Sequence, residues 1–174
     1  MARAVLDVVI RPGKTKAYLT RGTRYHVGDS EDWEDTLARE IGAPIENRLF
    51  LELDGVTFDC RHKVGSSSVP YGRCTALAKV HTWAQLWAQE FGGHPAPAGV
   101  FLRSHVHYHQ FIGGRNWLAM TLPALQALGS DYGTRDCEGI VHWGWVTFQV
   151  AKGKFTWESH VDAVGTSEIR RYKA

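Results

Sequence analysis

The residues best suited to chemistry in this sequence are its histidines. His105 and His107 stand two apart in Arg103-Ser104-His105-Val106-His107, directly after the apolar run Val100-Phe101-Leu102. Side chains at i and i+2 of a strand leave on the same side, so both imidazoles are expected to reach one metal ion or two adjacent ones. Imidazole suits zinc, manganese, iron or nickel. Tyr108 and His109 extend the cluster. His62 sits at a second strand exit, in Arg61-His62-Lys63, before the turn Gly65-Ser66-Ser67-Ser68. His26 closes a third loop, Arg21-Gly22-Thr23-Arg24-Tyr25-His26, in which Gly22 lets the backbone turn sharply. Strand-end loops are where sites on α/β scaffolds tend to lie, and three of them here carry histidine. Arg61 and Arg103 adjoin these loops and would suit an anionic phosphate substrate. Exposed strand-end histidines and a solvated basic surface account for the same residues without a site.

These loops must be held by elements that the pattern makes legible. Lys16-Ala17-Tyr18-Leu19-Thr20 reads as a short strand. Ser30 reads as an N-cap, followed by Glu31, Asp32, Glu34 and Asp35 where a helix dipole favours negative charge. Trp33, Leu37 and Ile41 carry helical spacing until Gly42 and Pro44 end it. Asp54-Gly55 between two apolar runs, 48–53 and 56–60, predicts a hairpin on a type I′ turn. A long helix is expected over 71–91, closed by Gly92-Gly93. A strand at 100–102 follows, then a second hairpin around Gly113-Gly114-Arg115. Pro123 to Leu128 reads as one or two helical turns, and two strands near 139–151 and 154–163 close the fold. The predicted class is α/β or α+β, with a mixed β-sheet and flanking helices. Trp83, Trp87, Trp117 and Trp145 are expected in the core, and His81, His94, His142 and His160 in structural or surface roles.

Composition narrows the functions available. The chain has 174 residues, 44% hydrophobic and 22% charged, which fits one globular domain over 1–174 with a loose tail at 165–174. No apolar run approaches ~18 residues, so no membrane span is expected. Asp7 interrupts the apolar start, so a secretory signal is not expected either. Cys60, Cys74 and Cys137 form no CxxC pair, which leaves a cytoplasmic location as the expectation. A net charge of +2 does not by itself argue for nucleic acid. There is no GxxxxGK[ST], GxGxxG or GxSxG.

Taken in order, the three histidine loops resemble the calcineurin-like metallophosphoesterase superfamily, in its phage and prophage form. Phe58-Asp59-Cys60-Arg61-His62-Lys63 looks like the strand and loop bearing that family's isolated metal-binding histidine. Arg103-Ser104-His105-Val106-His107 looks like its Gly-His-x-His motif, with Ser104 in place of Gly, and 21–26 looks like a divergent Gly-Asn-His loop. The resemblance implies a hydrolase of phosphomonoesters or phosphodiesters, nucleic acid among the possible substrates. It implies a divalent metal, manganese, zinc, iron or nickel, with His62 and His105 on one ion and His107 on the other. His26 would take the place of the catalytic histidine, and Thr23 that of the metal-binding asparagine. The family's Asp-x-His opening is absent here, and Gly28-Asp29 comes after the Gly-Thr loop, in the wrong order for the Gly-Asp motif. The chain is therefore expected to be the C-terminal half of a four-layer αββα sandwich, completed by a separately encoded N-terminal half or by a homodimer, in the cytoplasm of a bacterium or a phage-infected host. A single-metal protein and a non-enzymatic phage structural or interaction protein are the other two readings.

Overall fold

The computed structural model describes residues 6–7, 9–11, 14–23, 33–65, 67, 69–92, 98–125 and 141–163. Near the start, β1 (Leu19–Thr20) pairs in parallel with β2 (Ile45–Glu46), and α1 (Trp33–Ile41) lies between them in sequence. The acidic first turn of α1 does more than meet the helix dipole. Asp35 accepts from Arg21 Nη2 at 2.6 Å, and the Glu34 carboxylate accepts from the Gly22 N–H at 2.8 Å. The helix therefore holds the loop that leaves β1. It ends where Gly42 adopts φ +68°, a conformation open to glycine at little cost.

The main sheet has five strands in the order β3-β4-β5-β7-β6. β3 (Leu49–Leu53) and β4 (Val56–Arg61) form the expected hairpin, with Asp54 at φ +42° and Gly55 at φ +82° in the turn. The chain then crosses through a short 3-10 turn, Pro70–Gly72, and α2 (Arg73–Glu90) before returning as β5 (Val100–Arg103), parallel to β4. β6 (Gln110–Gly113) and β7 (Leu118–Thr121) make the second hairpin, and β7 runs parallel to β5. The sheet is thus parallel at its centre and antiparallel at both edges. β8 (His142–Ala151) and β9 (Lys154–Ala163) form a long separate hairpin.

Alternation of side chains sorts the sheet into two cores. One face sets Phe101 and Ala119 against Leu77 of α2, all three with no exposed surface. The other sets Val56, Phe58 and Val100 against Phe148, Val150 and Phe155 of the β8–β9 hairpin. Phe58 meets Phe148 edge to face at 5.2 Å between ring centres. The described architecture is helix, mixed sheet, hairpin, an α+β arrangement of the predicted class.

Several expectations need correction. The first strand is two residues long rather than five. Residues 122–125 are not helical. The Ala124 N–H donates to the His142 carbonyl and Ala124 bridges to Trp143, so this backbone is taken up by β8. Trp83, Trp87 and Trp145 are not core residues; each is more than half exposed. Helix α2 is apolar on more of its circumference than one sheet can cover, and the Leu77, Val80 and Ala84 side takes the sheet. Ser30, His94, residues 126–128 and the tail at 165–174 lie outside the described residues. No helix among the described residues is long and apolar enough to cross a membrane.

Candidate metal and phosphate site

β4 and β5 are adjacent and parallel, so their C-terminal exits open side by side. The Ser104 N–H donates to the His62 carbonyl at 2.9 Å, carrying the strand ladder one rung past β5. This rung sets the two histidine loops together. His62 Nε2 and His105 Nδ1 lie 3.2 Å apart, with the rings edge to face at 5.1 Å. Two nitrogens sharing a tetrahedral ion at 2.0–2.1 Å bonds stand roughly 3.3–3.4 Å from each other. The pair therefore fits two ligands of one cation, and equally one proton shared between two rings.

His105 and His107 do not leave a strand on one shared side, contrary to what their spacing predicts. β5 ends at Arg103, and both histidines lie in the following loop at positive φ, +76° and +57°. Left-handed backbone is costly for a residue with a Cβ and persists where surrounding contacts enforce it. Here the enforcing contacts come from β8 and β7. The His142 N–H donates to the His107 carbonyl at 2.9 Å, and the His109 N–H donates to His142 Nδ1 at 2.8 Å. Burial, with the neighbouring His109 adding to it, lowers the pKa of His142 and so favours the neutral ring that this acceptance requires. His109 Nδ1 lies 2.8 Å from the Thr121 carbonyl, which can only accept, so that nitrogen carries the proton. His109 Nε2 meets the Ser159 hydroxyl at 2.7 Å. The loop is thus tied to the central sheet and to both strands of the late hairpin.

The two arginines expected at the substrate take different positions. Arg61 is exposed at the end of β4. Arg103 is 3% exposed, and its Nη2 donates to Asp59 Oδ2 at 2.7 Å. Its Nη1 donates to the carbonyls of Asp59 and Leu102 at 2.6 and 2.8 Å. Arg48 closes on the same carboxylate in a two-bond fork, at 2.9 and 2.8 Å. Burial alone would raise the Asp59 pKa, but the hydrogen bonds from Arg48 and Arg103 outweigh it and hold it below the ordinary carboxylate range. Sequence reasoning missed Arg48 and Asp59. The available signal was a carboxylate at an inward position of β4, two residues before Arg61. Next to Asp59, burial pushes the Cys60 thiol up to about 11, which keeps it protonated and inert.

His26 lies outside the described residues. The Thr23 hydroxyl, in the same loop, is buried and has no hydrogen-bond partner among the described residues. No group of three or more His, Cys, Asp or Glu side chains among the described residues is arranged to hold a metal. The histidines in structural roles include His81, which stacks on Trp117 at 3.9 Å.

No protein-family model matches this sequence, and no curated protein matches it. Among solved structures, a single mutant of Vps29 from Entamoeba histolytica aligns at a TM-score of 0.47 and 11% identity, over 92% of this chain and 89% of that one. A novel archaeal phosphodiesterase aligns at 0.46 and 11%, over 84% and 70%. A predicted phosphoesterase from Streptococcus pneumoniae aligns at 0.42 and 17%, over 90% and 88%. At this level of likeness neither a family nor an activity passes to the present chain.

Proposed function

We propose that the protein is a metal-dependent phosphoesterase, or the C-terminal part of one. His62 and His105 hold one divalent cation, manganese, zinc, iron or nickel, and His107 serves a second position in the same loop. His26 acts as the proton-transferring histidine, and exposed Arg61 meets the phosphate. The remaining ligands, carboxylates above all, come from a separately encoded N-terminal half or a second copy of this chain. The observation that carries this reading is the 3.2 Å approach of two ring nitrogens from adjacent strand exits. The left-handed backbone at His105 and His107 supports it, since strain of this kind gathers at functional sites. A bound divalent ion supplies a Lewis acid and a water of lowered pKa. The chain itself positions the rings, and Arg61 offers a cation to the phosphate next to them. Arg103 acts one layer below, as the partner of Asp59.

The test is metal analysis of protein purified without chelator, together with manganese-dependent hydrolysis of bis(p-nitrophenyl) phosphate, with and without the neighbouring gene product. The expected result is bound metal and hydrolysis, both lost in His62→Ala. Metal without hydrolysis under any pairing would identify a single-metal binder instead. Neither metal nor hydrolysis would leave the non-enzymatic reading.

A further inference from the structure

A groove of about 900 Å³ runs between α2 and the β3–β4 side of the sheet. Its strand wall carries Arg48, Arg61 and Lys63, and its helix wall carries Lys79, Trp83 and Trp87. With Arg103 at its base, five cationic side chains line it against one carboxylate, Asp59. That is a local balance of +4 in a chain whose whole net charge is +2. Asp59 is already bonded to Arg48 and Arg103. Arg61, Lys63 and Lys79 have no ion-pair partner among the described residues.

The helix wall presents flat rings to solvent. Trp83 is 60% exposed, Trp87 55% and Phe91 56%. Trp83 and Trp87, at i and i+4, stand in one row along α2 with a rise of about 6 Å between them, and Phe91 follows just past the helix end. Trp87 and Phe91 are already parallel, 5.1 Å apart at 11°. Exposed aromatics in a row beside a cationic wall make a poor solvent surface and a good stacking platform. A row of this length exceeds one base. A duplex would hide its base faces from it, whereas a single strand offers them together with a line of phosphates.

We propose that this groove binds single-stranded nucleic acid, with bases on Trp83 and Trp87 and phosphates along Arg61, Lys63 and Lys79. Binding itself needs no metal; it shares Arg61 with the phosphoesterase reading and otherwise rests on Lys63, Lys79, Trp83 and Trp87.

The test is a titration of intrinsic tryptophan fluorescence with a short oligothymidylate, in chelator, over a series of salt concentrations. Quenching is expected, with log K falling against log salt at a slope of about −2 for three contacted phosphates. Trp87→Ala should weaken binding about tenfold at an unchanged slope. Lys63→Ala should reduce the slope by about 0.7. The titration is read in chelator and involves no hydrolysis, so a failed hydrolysis assay leaves this result untouched. Absence of quenching at low salt overturns the proposal. So does equal affinity for polyglutamate, which would mark a peptide site, or for thymidine monophosphate, which would mark a small-ligand site.

Discussion

Replacing Asp59 by Asn probes the buried charge cluster beneath the site. The substitution keeps side-chain volume and removes one charge. It leaves Arg103, 3% exposed, as a buried cation whose counter-charge is gone. Breaking a buried pair from one side costs about 3–5 kcal/mol. Two features pull the cost toward the lower end. Arg103 Nη1 keeps its two main-chain carbonyl acceptors, which the substitution does not touch. Arg48, with a side chain 45% exposed, can return to water. We therefore expect a loss of about 3 kcal/mol at neutral pH. With an m-value of about 1–3 kcal/mol/M, the urea midpoint should fall by roughly 1–3 M. The pH dependence has a definite sign. The folded Asp59 pKa is lowered, so its contribution is complete above the unfolded value of about 3.9 and is lost as pH falls toward the folded value. Asn does not titrate, so the gap between parent and variant should close in acid. Urea unfolding followed by tryptophan fluorescence across a pH series reads both effects. A variant as stable as the parent at neutral pH, or a gap that persists undiminished in acid, would show that Asp59 is not the counter-charge that stabilises Arg103.

Two further outcomes follow from backbone geometry. His105→Ala and His105→Gly both lose the imidazole, but only glycine relaxes at φ +76°, so the alanine variant should be less stable by about 1 kcal/mol in the same urea assay. Equal stability would mean the loop is not strained. Gly144 in β8 has φ +150°, and a Cβ there would collide with the His160 carbonyl of β9. Gly144→Ala should cost about 3 kcal/mol, seen as a lowered thermal midpoint, and an unchanged midpoint would contradict the pairing of this hairpin.

Much of the fold was legible because its signals are local. Asp54-Gly55 marked the first hairpin, Gly42 the end of α1, and Lys152-Gly153 the last turn. What failed were the places where distant segments compete for the same groups. Residues 122–125 pair with β8 instead of coiling, which no local pattern near Pro123 encodes. Trp83 and Trp87 share helical spacing with core residues, but one sheet covers one side of α2, and aromatic character does not say which side faces out. At the site, the sequence pointed to His62 and His105 as neighbours because both follow a strand. It did not reveal that His105 and His107 lie past the strand in left-handed backbone. Arg103 read as a substrate contact because it adjoins the histidines, yet alternation along β5 turns it inward to Asp59, eleven residues beyond Arg48 in sequence.

His62 and His105 are proposed to share one divalent cation. Anomalous diffraction from a crystal soaked in zinc tests it most directly. A shared ion gives a peak about 2.0–2.1 Å from both His62 Nε2 and His105 Nδ1. Absence of a peak there at saturating zinc, or an ion held by only one of the two rings, would contradict it.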